Sequence, residues 1–354
     1  MQRSDKYFFR LVLLFILGIT PALAGDYLSV DEAVELSLEN SKELEIARLE
    51  LENSRISYQR NKADIMRTES KSAELQNELS LMQAEDRFSR TRDQLAQDII
   101  SQYLQLLISG HDLVRLEKEL ELESRRLEET EKQVEMGHSS QMDLIQRQNS
   151  YNSAVFNYEE SLEDYKEDQR ELAYRLGLKE LPPLNEELLQ QIIEVEIHRD
   201  EFMEKALQAS TEIKVQKKQV ELAELQLSRA QEADTPPLEL EERENDLEIA
   251  RLNLEKAKKD TEHQNREIYN SFIRAGNSLD LALERLKEAE KNHEIVVRQK
   301  DMGLKTGRDL LSSEISFMSS EQSLFNALSS YYTSLLEVKK AMGLNVEEVA
   351  HDYF

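Results

Sequence analysis

Cysteine and tryptophan are absent from the sequence, and its 354 residues include only nine glycines and five prolines. A chain without cysteine forms no disulfide bond and has no thiolate to bind a metal ion or N-terminal cysteine to carry a lipid anchor. Few glycines and prolines leave few tight turns, which argues against a β-rich domain. Charged residues make up 33% of the chain, and this composition is typical of long, solvent-exposed helices or coiled coils.

Runs of basic residues are also missing, and the formal net charge is −26. Because a phosphate backbone is bound by a concentrated basic surface, we expect no nucleic acid partner. The acidic charge fits either the solvated surface of helices or an acidic lumen that favours cations. A disordered chain is excluded because Leu, Ile, Val and Tyr recur at helical spacing along almost the whole sequence.

No pattern of catalytic, metal-binding or cofactor-binding residues occurs. No two histidines have the spacing of metal ligands, and there is no glycine-rich loop that could hold a phosphate. The six histidines are His111, His138, His198, His263, His293 and His351. Carboxylates are abundant, but none is singled out as half of an acid–base pair. The sequence therefore predicts a protein that is not an enzyme and uses no cofactor or metal.

The N-terminus has the three parts of a secretory signal peptide. Lys6 and Arg10 are basic, Leu11 to Leu17 are apolar, and Ala22-Leu23-Ala24 forms a cleavage site of small residues. We predict a signal peptide over residues 1–24 and an exported mature chain, with an uncleaved anchor as the alternative. No apolar stretch of membrane-spanning length follows residue 24.

An internal repeat is visible in the glycines. Three pairs are each separated by 166 residues, and they are Gly110 with Gly276, Gly137 with Gly303, and Gly177 with Gly343. Their neighbours agree: Met136, Asp143 and Leu144 recur as Met302, Asp309 and Leu310. A tandem duplication explains this agreement. We predict a first repeat over 25–178, a linker over 179–199, a second repeat over 200–344 and a tail over 345–354.

Helical periodicity predicts an all-α fold of long antiparallel hairpins in these two repeats. Ser29 and Glu32 form the sequence pattern of a capping box at the start of the first helix. The predicted helices cover 30–60, 86–135, 141–176, 200–233, 238–301 and 308–342, with a polar, weakly patterned connection over 61–85. Gly110 and Gly276 fall inside long helices, where they permit either a close helix contact or a bend.

Three sets of residues together resemble the TolC-like outer-membrane efflux family. They are the opening Leu28–Leu44, the paired turns Met136–Leu144 and Met302–Leu310, and the closing segments Leu176-Gly177-Leu178 and Met342-Gly343-Leu344. The resemblance implies a homotrimer whose twelve helices enclose a tunnel in the cell envelope, in the periplasm or associated with the outer membrane. It also implies a periplasmic adaptor (membrane fusion) protein and an inner-membrane transporter as partners, in efflux or type I secretion.

The same resemblance assigns roles to the two turns. It implies that the hairpin tips contact the adaptor, through Gly137, Ser140, Asp143, Leu144, Gly303, Thr306, Asp309 and Leu310. It also places Asp309 at the tunnel entrance, where some members of the family carry acidic residues. A second acid can occur three residues further on, but this chain has Ser312 there.

One part of the family's pattern is missing from the sequence. Members normally carry two membrane β-strands in each repeat, which here would fall in 61–85 and 228–242. Such strands require about 9–11 residues of alternating polarity. The first segment lacks that alternation, and the second is shorter than two strands and a turn would require. We therefore expect the membrane β-strands to be absent, with helix–loop–helix connections in their place. A structural coiled-coil protein of the envelope that keeps the fold without conducting is the alternative function.

Overall fold

The structure is a computed structural model that describes residues 27–346 except 69, 187–188, 190–191, 193–194 and 234. The predicted signal peptide and residues 347–354 of the predicted tail lie outside the described residues. This part of the chain forms eight helices of 11 residues or more. They are α1 (Val30–Asn40), α2 (Lys42–Thr68), α3 (Lys71–Glu135), α4 (Gln141–Arg175), α5 (Arg199–Ala209), α6 (Thr211–Glu232), α7 (Pro237–Asp301) and α8 (Gly307–Ala341).

The predicted all-α class is confirmed. The only β pairing among the described residues is an isolated parallel bridge between Leu28 and Leu184. In the two segments where membrane β-strands would fall, none of the described residues forms a strand and nearly all of them lie in helices, as predicted.

The predicted helix bounds on either side of residues 61–85 are wrong, because the helix predicted to end at residue 60 and the long helix predicted to begin at residue 86 both extend into this segment. Helix α2 continues to Thr68 and α3 begins at Lys71. The Lys, Arg, Glu and Gln residues of this segment are good helix formers. Two leucines at helical spacing, Leu75 and Leu79, are buried and anchor the segment in the packed structure.

Two helices predicted as continuous are also interrupted. Ser41 separates α1 from α2, and Ser210 separates α5 from α6. Each serine hydroxyl accepts a hydrogen bond from a backbone N–H three residues later, Leu44 at 3.2 Å and Ile213 at 3.3 Å. A serine side chain that caps the next helix in this way favours the extended backbone of an N-cap over a continuous helix.

The two halves of the chain have the same order of helices. Their lengths are 11, 27, 65 and 35 residues in the first half and 11, 22, 65 and 35 residues in the second. At 1.5 Å per residue, each 65-residue helix extends for roughly 100 Å. Within each half the long helix packs against the helix before it and the helix after it, and α3 also contacts α6 and α8 across the two halves.

The helices form a long body with turns at both ends. The turns between α3 and α4 and between α7 and α8 are the hairpin tips, and Arg308 at the start of α8 donates to Glu129 of α3 beside them. At the opposite end Arg229 of α6 donates to Ser72 of α3 at 3.0 Å, close to the turn that precedes each long helix. The main core lies between these ends, around Tyr103, Phe202 and Tyr332.

Hydrogen bonds of two tyrosine hydroxyl groups connect the predicted linker to this core. The Tyr103 hydroxyl donates to the Leu28 carbonyl at 2.7 Å and accepts from the Asn185 N–H at 2.8 Å. Further along, the Tyr269 hydroxyl donates to the Ile197 carbonyl at 3.1 Å. Leu189 of the same segment is buried. The linker is therefore a packed part of the structure, which its position between the repeats did not reveal.

Candidate functional site: the two hairpin tips

Both long helices end at the tips with the same C-terminal motif. Gly137 and Gly303 have φ of +76° and +74°, a conformation that strains other residues. In the first tip, Gly137 donates to the Val134 carbonyl at 3.0 Å and His138 donates to the Gln133 carbonyl at 2.7 Å. This pair of bonds is the Schellman motif, which satisfies the last carbonyls of a helix. The second tip repeats it, and each glycine reverses the chain.

A capping box then opens each returning helix. The Asp143 N–H donates to the Ser140 hydroxyl at 3.1 Å, and the Ser140 N–H donates to the Asp143 carboxylate at 2.9 Å. Thr306 and Asp309 make the same two bonds at 3.1 and 2.9 Å. These backbone and hydroxyl donors lower the pKa of both aspartates below the ordinary carboxyl value. Both carboxylates therefore act as charged helix caps.

Apolar side chains surround these caps and lie in solvent. They are Met136, Met142 and Ile145 in the first tip and Met302 and Leu304 in the second, with Leu304 70% exposed. Methionine is flexible and polarisable, and it is over-represented at adaptable binding surfaces. Exposed apolar groups on two adjacent turns form a surface suited to contact with another protein.

These methionines and Leu304 were not among the site residues assigned from the sequence. The repeat held a usable signal, because a methionine precedes the glycine of both tips. The predicted Leu144 and Leu310 are half-buried instead. Their contribution to a contact surface is correspondingly smaller.

Two ion pairs link α3 and α8 at the tips and further along the helices. In addition to the pair of Arg308 with Glu129, Lys118 of α3 lies 3.3 Å from Glu314 of α8. All eight predicted tip residues are therefore at one end of the molecule. The role of Asp309 at a tunnel entrance stays a prediction, since its carboxylate is engaged by Thr306 of its own turn.

The described part of the chain contains no group of three or more His, Asp or Glu side chains placed to hold a metal ion. None of its helices combines the length and the apolar character needed to span a membrane.

Comparison with known proteins gives matches of structure only. No protein-family model and no curated protein matches the sequence. Among solved structures, the outer membrane protein VceC from Vibrio cholerae is 14% identical with a TM-score of 0.60, covering 89% of this chain and 96% of VceC. The chain has the helical fold of the TolC-like outer-membrane channels.

Two more structures show the same TolC-like fold. The CmeC outer membrane channel of Campylobacter jejuni is 13% identical with a TM-score of 0.59, covering 92% of this chain and 89% of CmeC. The MtrE outer membrane channel of Neisseria gonorrhoeae is 14% identical with a TM-score of 0.54, covering 90% of this chain and 89% of MtrE. The TolC-like resemblance read from the sequence is thereby confirmed at the level of the fold.

Proposed function

We propose that the chain is one subunit of a homotrimeric TolC-like conduit in the cell envelope, used for efflux or type I secretion. The observation that carries this proposal is the exposure of large apolar side chains along the two edges of the helical body. Near the tips, contacts order the helices as α4, α3, α8 and α7. Helices α4 and α7 are therefore the edges of a four-helix layer.

On α4 the large exposed apolar side chains are Met142, Ile145, Phe156 and Tyr174, with exposed acids between the last two. At 3.6 residues per turn, Phe156, Ile145 and Met142 lie about five, eight and nine turns before Tyr174. The four side chains therefore share one face. Leu172 and Ala173, which are buried, point elsewhere.

Helix α7 also exposes apolar side chains on its outer edge. Leu252, Ile273, Leu281 and Ile295 are all exposed. They lie on the face opposite to Leu247 and Leu279, which are buried. Large apolar side chains exposed on both edges of the layer favour association with further copies. Three copies would contribute twelve helices and enclose a lumen, as the resemblance to the TolC-like family implies.

The tips supply the contact with partners in this proposal. Their exposed methionines and Leu304 suit a periplasmic adaptor protein that links the conduit to an inner-membrane transporter. The same order of helices in the two halves, with equal lengths for three of the four pairs, supports the division into two repeats. We further propose that the chain performs no catalysis and uses no cofactor, because conduction requires only a lumen and its docking surfaces.

The first test is the mass of the mature protein in solution, purified without detergent and measured by light scattering. We expect three times the mass of one chain. Phe156→Glu should lower that mass, while Gln148→Glu, an equal charge change on another face of α4, should not. A wild-type protein that stays monomeric at all concentrations would refute the trimer.

A second measurement separates the conduit from the structural alternative. In cells, deletion of the gene should cause a fluorescent efflux substrate to accumulate, and the wild-type gene should restore its export. A stable trimer whose deletion leaves export unchanged would favour the non-conducting coiled-coil protein.

A further inference from the structure

The end of the molecule opposite to the tips has a different pair of edges. Here α2 contacts α3, α3 contacts α6, and α6 contacts α7. The layer therefore runs α2, α3, α6, α7, with α2 on one edge and the first part of α7 on the other. The hydrogen bond from Arg229 to Ser72 and the ion pair of Lys218 with Glu78 place both preceding turns at this same end.

The outer edge of α2 is apolar and basic. Leu49, Ile56, Arg60 and Arg67 are exposed and follow one another at intervals of 7, 4 and 7 residues, so they share one face. Leu44 and Leu51 are buried on the opposite side. Over 53–68 the exposed charges are four basic residues and one acid, namely Arg55, Arg60, Lys62, Arg67 and Asp64.

The outer edge of α7 is apolar and acidic. Leu238, Glu241, Asn245, Glu248 and Leu252 are exposed and follow at intervals of 3, 4, 3 and 4 residues, which again defines one face. Residues 239–248 contain six acids and one arginine, namely Glu239, Glu241, Glu242, Glu244, Asp246, Glu248 and Arg243.

Three of these charges, Arg60, Glu241 and Glu248, form no ion pair with any of the described residues. By contrast, Arg67 lies 3.5 Å from Asp64, and both side chains of that pair are highly exposed. A pair exposed to this extent contributes little stability. Charges of opposite sign are thus displayed on the two edges and are free to pair outside the chain.

We infer that α2 of one copy packs antiparallel against the first part of α7 of the next copy. In this register Arg67 faces Glu241, Arg60 faces Glu248, and Ile56 faces Leu252. Helix α2 runs toward this end and α7 runs away from it, so two copies that stand side by side present antiparallel edges. The inference rests on the proposed self-association, and it names the surfaces that meet and their order.

The charges on the two edges distinguish between the possible contacts of two copies. If two α2 edges met, Arg60 and Arg67 would face arginines, and if two α7 edges met, acids would face acids. Like charges in contact are unfavourable, so both of these symmetric pairings are disfavoured. Only the head-to-tail contact of α2 with α7 brings opposite charges together. A head-to-tail contact of this kind generates a closed ring when the rotation between copies closes.

Charge reversal tests the inference in the full mature chain. We expect Arg60→Glu with Arg67→Glu to weaken self-association by about tenfold, because two exposed pairs become repulsive in each interface. Glu241→Arg with Glu248→Arg should weaken it equally. All four changes in one chain should restore association, since the two edges are then complementary with the signs exchanged. Light scattering at low salt, where surface charges are least screened, gives the measurement.

The outcomes separate this inference from the proposed function. A wild type that associates, is disrupted by Phe156→Glu and ignores both charge reversals would overturn the α2–α7 contact and leave the trimer standing. A monomeric wild type would overturn both. Thermal melting by circular dichroism verifies that each variant is folded, and we expect no change because the reversed side chains carry no buried contact.

Cross-linking supplies a second readout, made simple by the absence of native cysteine. Ile56→Cys and Leu252→Cys in one chain, treated with a flexible bis-maleimide, should give covalently closed oligomers. Each single variant should give none in a head-to-tail contact. Dimers from either single variant would show that like edges meet, which contradicts the inference.

Discussion

The aromatic ring of Tyr165 on α4 lies directly against Gly110 on α3. A methyl group at residue 110 would be 3.4 Å from both Cε2 and the hydroxyl oxygen of Tyr165. Gly276 faces Tyr331 in the second half in the same way, at 4.0 Å. Both long helices continue through these glycines. Of the two explanations that the sequence left open, the close helix contact is therefore observed at Gly110, while the space at Gly276 is wider.

This geometry predicts opposite effects of small and large side chains. Gly276→Ala should stabilise the protein by about 1 kcal/mol, the usual gain for alanine inside a helix, because the added methyl group makes an ordinary contact. Gly110→Ala should stabilise the protein less, since the Tyr165 ring lies closer to residue 110 than the Tyr331 ring lies to residue 276. Gly110→Leu should destabilise the protein, because the ring occupies the space of the larger side chain.

Thermal unfolding followed by circular dichroism measures these changes. The Gly276→Leu variant serves as the comparison, since its ring lies further away and we expect a smaller loss than at residue 110. Equal losses at the two positions would show that the difference in spacing has no energetic consequence.

Local chemistry was the predictable part of this structure. The capping box of Ser29 with Glu32 was read from the sequence, and both of its hydrogen bonds are formed, at 3.2 and 3.1 Å. The reversals at Gly137 and Gly303 were also read correctly, because glycine followed by a capping residue and an acid is a local signal. Such patterns need no knowledge of distant residues.

Contacts between distant residues were not predictable in the same way. The ion pair of Arg308 with Glu129 joins residues 179 positions apart, and no feature of either residue selects the other. The breaks at Ser41 and Ser210 were missed because serine is also tolerated inside a helix. The docking of the linker depends on Tyr103, which sequence periodicity identifies only as an apolar position.

The linker contact gives a prediction for Tyr103. Tyr103→Phe removes a hydroxyl that bonds both Leu28 and Asn185 in the buried core, so it should destabilise the protein by about 1–2 kcal/mol. Tyr269→Phe removes a single bond to Ile197 from a less buried ring and should cost less. Urea denaturation measures both. A larger loss at Tyr269 would contradict the role assigned to Tyr103.

The capping aspartates of the two tips predict how the stability of these helix ends depends on pH. Hydrogen bonds lower the pKa of Asp143 and Asp309 in the folded state, so the caps contribute stability above the ordinary carboxyl pKa. That contribution is lost as pH falls through the lowered values. We expect amide hydrogen exchange of α4 and α8 to rise first at their N-terminal turns on acidification. In Thr306→Ala the turn at α8 should already exchange faster at neutral pH, while the turn at Ser140 stays protected.

The half-buried Glu321 of α8 predicts the opposite dependence of folding stability on pH. Burial raises its pKa, attraction to His111 opposes this rise, and repulsion by Glu290 adds to it. A raised folded pKa means that the folded state binds the proton more tightly than the unfolded state. The stability that this provides is complete below the ordinary carboxyl pKa and is lost as pH rises through the raised value.

Glu321→Gln should therefore stabilise the protein at neutral pH, because the neutral amide avoids the cost of a partly desolvated charge. The gain should shrink as pH falls toward the ordinary carboxyl pKa, where wild-type Glu321 is itself protonated. Glu337→Gln, an exposed position on the same helix, is the matched control and should change little at any pH. Urea denaturation at several pH values measures the difference. A gain of equal size at every pH would indicate altered packing, because only the burial of charge makes the effect depend on protonation.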